Sequence, residues 1–323
     1  MHVLLLFTIL FCYQLVGAQQ VLVFEKQVNL IPEGIAIDPG NGTIYVSSIA
    51  QKKIIRILPD GSATDFISPG KHHFLEGLGL KVDVKRNCLW ALSNIRKGNE
   101  FTAQIHAFGL SDGGMMHQFS ITDSIPRLFN DLVIDSSGAL LVTDTYSSTV
   151  YRYHPAVKKL EVLVHDTSKL KWPNGIDFLD DQHLVIATYG HGLVRVNIHT
   201  KEITLLPGYQ EKAIAFGLDG LVVNGNELYG VYNGGAGGSK SNAVVKYALD
   251  ESKRNIVSEM VIDRGNAAFS DPTTAAKFKN KLYVIANSHL DQFNANKESV
   301  TGIEDKLTSL KLVVYSLTAD RAP

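Results

Sequence analysis

The sequence predicts an all-β fold, a six-bladed β-propeller with four antiparallel strands in each blade. Three observations predict it. One unit recurs six times along the chain, its copies lie 43 to 54 residues apart, and Val, Ile, Tyr and Thr dominate the runs between turns of Gly, Asn, Asp and Pro. A period of this size that is filled with strands is typical of a propeller blade.

Each copy begins with a polar residue beside a small one, continues into a short apolar strand, and returns through a polar turn to a second strand of the type L-Y-V. The copies span residues 32–48, 75–94, 129–145, 173–189, 218–233 and 271–287. Their polar anchors are Glu33, Glu76, Asn130, Asn174, Asp219 and Asp271. Two further strand-like runs follow most copies, which completes four strands per blade.

The two ends of the chain predict how the ring closes. The sixth copy is followed by one clear strand, LKLVVYSL at 310–317, and an extra strand, VLVFEKQV at 21–28, precedes the first copy. We expect the N-terminal strand to join the C-terminal blade, which leaves no open edge at the seam. A parallel α/β fold is the rival, but the chain lacks sustained helical periodicity.

The N-terminus has the pattern of an export signal. An apolar run at 3–11 precedes Val16 and Ala18, which fit the positions before a cleavage site. We therefore predict a signal peptide at 1–18 with cleavage near Ala18, a single propeller domain at 19–323, and a secreted or periplasmic location. This run is too short to span a membrane, and no other apolar run approaches that length. A formal net charge of −1 argues against nucleic acid as a partner.

Propeller topology predicts where the polar anchors meet. The turn into the first strand of every blade lies on one face, so the six anchors should surround one channel mouth. The ends of the second strands should surround the same opening; these are Ser47, Asn94, Asp144, Thr188, Tyr232 and Asn287.

The oxygen-rich anchors predict a metal site. Glu33, Asn130, Asn174 and Asp219 would bring two negative charges to one divalent cation. Hard cations prefer oxygen ligands, so Ca²⁺ is the first candidate, with Zn²⁺, Mn²⁺ and Mg²⁺ as alternatives. The other interpretation is that the Asn-Gly and Asp-Gly pairs in these repeats are only turn formers.

Five further residues are candidates for a substrate pocket at this mouth. They are Glu76, Asp144, Tyr189, Tyr232 and His289. Plain packing is an equal alternative for the two tyrosines.

The motifs PEGIAID, FNDLVID, PNGIDF and LDGLVV resemble the regucalcin–gluconolactonase family of senescence-marker-like six-bladed propellers. The resemblance implies that Glu33, Asn174 and Asp219 hold one divalent metal, that Asn130 contacts the metal site or the substrate, and that Asp219 acts as a base. Many members of this family open sugar lactones.

One position departs from the family pattern. Sugar-lactonase members carry Arg two residues before the Asn of the F-N-D turn, whereas this chain has Leu128 there and Arg127 one step further away. Loss of that guanidinium puts a sugar lactone as substrate in doubt, although not the metal site.

Two functions are therefore predicted as alternatives. The first is a secreted metal-dependent hydrolase of the lactonase or esterase type, with a small-molecule lactone or ester as substrate. The second is a non-catalytic propeller that binds a small molecule or a protein at the same face. The Gly-rich run at 233–242 is expected to form a flexible rim, and the 288–309 segment to be either a lid or disordered.

Overall fold

The computed structural model describes residues 19–208, 217–233 and 242–317, and the predicted signal segment at 1–18 lies outside these ranges. Within them the chain forms six antiparallel sheets of four strands. The innermost strand of each sheet contacts that of the next, and the sixth contacts the first. The predicted six-bladed β-propeller is therefore confirmed.

The strands follow one another blade by blade. Strand β1 is Gln20–Phe24, and blade 1 contains β2 Pro32–Ile37, β3 Ile44–Ser48, β4 Lys53–Ile57 and β5 Ala63–Ile67. Blade 2 contains β6 Glu76–Asp83, β7 Cys88–Lys97, β8 Glu100–Gly109 and β9 Met115–Asp123. Blade 3 contains β10 Phe129–Ile134, β11 Leu140–Asp144, β12 Thr149–His154 and β13 Lys159–His165.

The second half repeats the arrangement. Blade 4 contains β14 Pro173–Asp180, β15 His183–Thr188, β16 Gly192–Asn197 and β17 Ile203–Leu205. Blade 5 contains β18 Leu218–Asn224, β19 Glu227–Tyr232, β20 Ala243–Leu249 and β21 Ile256–Arg264. Blade 6 contains β22 Ala275–Phe278, β23 Lys281–Ile285 and β24 Leu310–Ser316.

The ring closes as predicted, because β1 pairs antiparallel with β24 as the outermost strand of blade 6. The register runs from Gln20 opposite Val314 to Phe24 opposite Leu310. The strand is shorter than the predicted 21–28, since the chain turns after Phe24 and the Gln27 amide donates to the Phe24 carbonyl at 2.8 Å.

The core lies between neighbouring blades. Each of the six interfaces encloses a cluster of buried apolar side chains. Between blades 1 and 2, for example, Tyr45 and Phe66 pack against Leu89 and Phe108. Inner strands are covered on both faces, which explains why their sequences read as almost continuous apolar runs rather than alternating ones.

Glycine follows four of the six polar anchors, and at two of them the close approach of the next blade explains it. A Cβ atom on Gly34 would lie 2.0 Å from the Leu78 carbonyl oxygen of the next blade, and one on Gly175 would lie 2.8 Å from the Leu221 nitrogen. Neither glycine has a positive φ. At Gly34 and Gly175 the glycine therefore allows close contact between inner strands.

The segment at 288–309 is ordered against blade 1. It contains the α-helix α1, Leu290–Ala295, and a 3₁₀ turn at Glu304–Lys306. Phe293, Ile303 and Leu307 pack on Ile31. Other 3₁₀ turns lie at Lys71–His73 and Pro155–Val157. No helix in the described part of the chain is long and apolar enough to cross a membrane.

Candidate metal and substrate site

The four predicted metal ligands meet in one cavity on the ring axis. This cavity of about 310 Å³ takes lining residues from all six blades. Glu33, Asn130, Asn174 and Asp219 all line it. Each is the second residue of an inner strand, so the shared position in the repeat becomes a shared position in space.

Glu33 and Asp219 are the electrostatic centre of the cavity. Burial, with a smaller contribution from the charge of Asp131, raises the pKa of Asp219 to about 8. Burial and then the charge of Asp219 raise the pKa of Glu33 well above its usual value. Two carboxyl groups in one poorly solvated space disfavour each other's ionisation. The pair would bind a positive charge well.

Glu33 has a carboxyl oxygen without a hydrogen-bond partner. Channel solvent reaches part of the residue, but its Oε2 atom is buried and unpaired. A buried oxygen of this kind costs about 1–3 kcal/mol if nothing satisfies it. A cation in the cavity would supply that missing interaction.

The side chain of Asn130 is oriented by the same blade. The Thr145 hydroxyl donates to the Pro173 carbonyl at 2.7 Å, so its oxygen is free to accept from Asn130 Nδ2 at 3.0 Å. This contact assigns the amide so that Oδ1 is the end left for other partners. An amide oxygen is the atom that a hard cation would use.

Asp219 is held by two amides. Asn233 Nδ2 donates to Asp219 Oδ2, and Asn174 makes a side-chain hydrogen bond to the same carboxylate. Both contacts favour the ionised form and so oppose the effect of burial on the pKa.

The donor set limits which ion fits. Within the described ranges, no three His, Cys, Asp or Glu side chains come together in a way that could hold a metal ion. A cation at this place must therefore use amide oxygens beside the two carboxylates. The unpaired Glu33 oxygen, the oriented Asn130 amide and the buried acid pair fit a hard dication better than one that prefers nitrogen or sulfur.

The other two anchors differ from these four. Glu76 is not among the cavity-lining residues; its carboxylate lies 3.6 Å from Lys52 Nζ and is partly exposed. Asp271 precedes β22 by four residues and has a φ of 56°. Its Oδ2 accepts from the Asp291 amide at 3.1 Å, which ties it to the start of α1.

Several second-strand ends bond to the next blade or to their own turn. Ser47 Oγ donates to the Leu78 carbonyl at 2.6 Å, and Asn94 exchanges hydrogen bonds with the Phe129 backbone at 2.9 Å. Asp144 is fully buried and accepts from the Leu128 amide at 2.8 Å. Tyr232 is buried in the blade 5 core, with its hydroxyl 2.5 Å from that of Tyr247. Asp144 and Tyr232 do not line the axial cavity.

Tyr189 and His289 have separate surroundings. The Tyr189 hydroxyl donates to the Asn233 carbonyl at 2.8 Å, beside the candidate metal ligands. His289 Nδ1 lies 2.9 Å from Ser270 Oγ, and its Nε2 accepts from the Thr308 amide at 3.2 Å. His289 therefore lies at the seam of the ring, next to a small second cavity.

The arginine near the F-N-D turn does not line the cavity either. Arg127 is buried, donates to Tyr151 at 2.7 Å and forms an ion pair with Asp123 at 3.0 Å.

Sequence reasoning missed two residues beside the site. Asp131 lines the cavity, and burial raises its pKa to about 6. Asn233 contacts Asp219 directly. The signal for Asn233 was the alternation of β19: Tyr232 points into the blade, so the next residue turns the other way. It was hidden in a Gly-rich run that was interpreted as a flexible rim, of which residues 234–241 lie outside the described structure.

Fold and cavity together define the chain as a six-bladed propeller with an acidic, amide-lined axial pocket. No family model matches the chain, and no curated protein matches it in sequence. Solved structures do match. A gluconolactonase from Xanthomonas campestris superposes with a TM-score of 0.60 at 14% identity, covering 92% of this chain and 90% of its own.

Two other structures have the same architecture. A calcium-binding protein, regucalcin, from Agrobacterium tumefaciens matches with a TM-score of 0.60 at 18% identity, over 93% of this chain and 95% of its own. A virginiamycin B lyase from Staphylococcus aureus matches with a TM-score of 0.56 at 14% identity, over 92% and 98%. Structural neighbours thus include the gluconolactonase and regucalcin propellers that the sequence motifs resemble. At these identities the likeness shows the fold, and fold alone does not assign an activity.

Proposed function

We propose that this chain is a secreted, metal-dependent hydrolase of small lactones or related esters. The observation that carries the proposal is the convergence of Glu33, Asn130, Asn174 and Asp219 on one axial cavity with two buried carboxylates. Ca²⁺ is the first candidate for the cation, since the donors are carboxylate and amide oxygens.

Each residue of the site would have a separate role in ester hydrolysis. A cation bound by these four side chains would polarise the substrate carbonyl and stabilise negative charge on its oxygen. Asp219 would accept a proton from the water that attacks the carbonyl carbon and return it to the leaving oxygen as the ester C–O bond breaks, since its carboxylate lines the same cavity as the other three ligands. Asn130, held by Thr145, would orient the ester group. The inner strands would exclude bulk water from the reacting atoms.

The test combines metal removal with a matched pair of variants. Purified protein would be treated with a chelator, assayed against a panel of lactones and esters, and assayed again after Ca²⁺, Mn²⁺, Mg²⁺ or Zn²⁺ is restored. We expect turnover to be lost after chelation and to be recovered when the cation is restored. Asp219→Asn should lose turnover and metal binding, whereas Glu227→Gln, which removes a carboxylate paired with Lys246 in the same blade, should keep both.

Each other outcome has a defined meaning. Turnover that survives chelation, or that Asp219→Asn retains, would contradict the metal-dependent mechanism. Metal binding without turnover on any ester would favour the alternative of a non-catalytic propeller that binds a small molecule or a protein at this mouth.

Secretion is the remaining part of the proposal. Strand β1 begins at Gln20, so removal of residues 1–18 would leave every strand of the described structure intact. We expect the mature protein, isolated from its natural source, to begin at Gln19. Intact Met1 on the mature chain would contradict the export signal.

A further inference from the structure

Three groups form a hydrogen-bonded chain that ends at Asp219. The Tyr189 hydroxyl, just after β15 of blade 4, donates to the main-chain carbonyl of Asn233 at 2.8 Å. Asn233, just after β19 of blade 5, donates its side-chain Nδ2 to Asp219 Oδ2. The chain therefore crosses the interface between two blades and reaches the carboxylate through a residue that does not line the cavity.

Two side-chain amides hold the Asp219 carboxylate. Oδ2 accepts from Asn233, and the second side-chain hydrogen bond to this carboxylate comes from Asn174, which lines the cavity. A hydrogen bond between an amide and a carboxylate is charge-assisted and roughly twice as strong as one between neutral groups. The bond therefore restrains the rotation of a carboxylate that the proposed function requires in one orientation.

Asn233 itself has only one favourable orientation. Its Oδ1 atom is buried and has no hydrogen-bond partner. Reversal of the amide would place that oxygen against the Asp219 carboxylate, oxygen against oxygen, and would lose the donated bond. The hydrogen bond from Tyr189 holds the backbone of Asn233 in place, and this backbone position sets the distance between the Asn233 side chain and Asp219.

We propose that Asn233 and Tyr189 are positioning residues of the candidate cation site: Asn233 fixes the orientation of Asp219, and Tyr189 fixes Asn233. The inference rests on the proposed function, because it concerns the same site. It differs from the roles of Thr145, which orients Asn130, and of the four ligands, because neither residue would touch the cation or the substrate.

Calcium affinity is the first measurement. Asn233→Leu keeps the approximate shape of the side chain and removes its donor. Loss of an outer hydrogen bond to a metal ligand typically weakens metal binding roughly 10- to 100-fold, and we expect a loss in that range by isothermal titration calorimetry. Tyr189→Phe should weaken binding less, by roughly two- to tenfold on the same scale.

Tyr247→Phe is the matched control. It removes a hydroxyl hydrogen-bonded to Tyr232 inside the same blade, and Tyr247 does not line the cavity. We expect its calcium affinity to equal that of the unmodified protein, even if its thermal stability falls.

A count of bound waters separates positioning from a general loss of stability. Terbium(III) would replace calcium, and its luminescence lifetimes in H₂O and D₂O would give the number of waters on the ion. In Asn233→Leu we expect about one additional water, because a misoriented Asp219 gives up its place to solvent. A protein that is merely less stable would retain the same number of waters in its folded fraction.

The outcomes distinguish this inference from the proposed function. Affinities within twofold of the unmodified protein for Asn233→Leu and Tyr189→Phe, with an unchanged water count, would overturn the positioning role, while a loss in Asp219→Asn would keep the metal site. Absence of any cation site in the unmodified protein would overturn both. If Asn233→Leu does not fold, Tyr189→Phe decides alone, and an unchanged affinity in that variant overturns the inference.

Discussion

At the scale of the residue, the candidate site places two carboxyl groups where ionisation is costly. Burial acts first on both Glu33 and Asp219; the charge of Asp219 further raises the pKa of Glu33, and the charge of Asp131 further raises that of Asp219. A folded protein normally pairs or hydrogen-bonds such groups fully. The arrangement makes physical sense if the pair exists to hold a positive ion, which would relieve the repulsion that the metal-free protein retains.

The cost of ionising Asp219 predicts how the stability of the metal-free protein depends on pH. Asp219 has a folded pKa of about 8 against 3.8 for the ordinary group, so between about pH 4 and pH 8 the native state binds more protons than the unfolded state. The free energy of unfolding should therefore fall as pH rises through this window. In chelator we expect the melting temperature at pH 8 to lie about 5 °C or more below that at pH 5.

Asp219→Asn is the comparison that isolates the effect. Its melting temperature should change less over the same window, because one of the titrating groups is gone. Glu33, Asp131 and Asp271 also have raised pKa values, so the melting temperature of the variant should still fall somewhat as pH rises. Buried His289 has a lowered pKa and acts in the opposite direction in both proteins. If the melting temperatures of the two proteins changed equally with pH, Asp219 would be ionised at no unusual cost.

At the scale of the element, the ordered 288–309 segment depends on His289. The ring bonds to Ser270 before the segment and to Thr308 near its end, so one side chain joins both limits of a long connection. Asp271 accepts from the start of α1 and holds the same region. The segment is thus attached to the seam of the ring by buried polar contacts, in addition to its apolar packing on Ile31.

We expect His289→Ala to loosen this segment. Loss of the two ring contacts should reduce the free energy of unfolding by about 1–3 kcal/mol and speed hydrogen exchange of residues 288–309. Calcium affinity should be unchanged, because His289 does not line the axial cavity. His154→Ala, which removes a partly exposed ring on blade 3, is the control and should leave exchange in 288–309 as it is.

The same variant tests the sequence prediction that His289 belongs to a substrate pocket. A rise in KM for an active ester, with normal exchange in 288–309, would support the pocket role and contradict the anchoring role.

The elements also show what the sequence could and could not predict. The repeat located five anchors within the first two residues of an inner strand, because inner strands are short, apolar and preceded by polar turns. The sixth anchor, Asp271, lies outside its strand, which begins only at Ala275. The direction of a side chain at a strand end depends on one residue of register, and the repeat does not specify this for Tyr232 and Asn233.

At the scale of the whole molecule, ring closure was predictable because it follows from counting. The last blade lacked one strand and the N-terminus supplied one, and a closed ring removes the exposed edge at the seam. The contacts between blades were not predictable in the same way. Ser47, Asn94 and Thr143 each bond to the backbone of the following blade, and such pairings connect residues about 30 positions apart without any local signal.

Closure by β1 predicts the effect of removing it. A chain that begins at Gln27 would leave β24 without its outer partner and would remove Phe24, which is buried among Leu310 and Leu312. Loss of a buried phenylalanine alone costs about 3 kcal/mol or more, so we expect a large fall in melting temperature. The uncovered β24 edge should also pair with other chains, and size-exclusion chromatography should show oligomers.

Val23→Thr separates the loss of the strand from a change in its composition. Val23 is 45% exposed on β1, and threonine is equally suited to a strand, so the ladder with β24 should persist and stability should change by about 0.5 kcal/mol or less. A truncated chain that melts with the unmodified protein and elutes as the same species would mean that the other strands close the ring without β1.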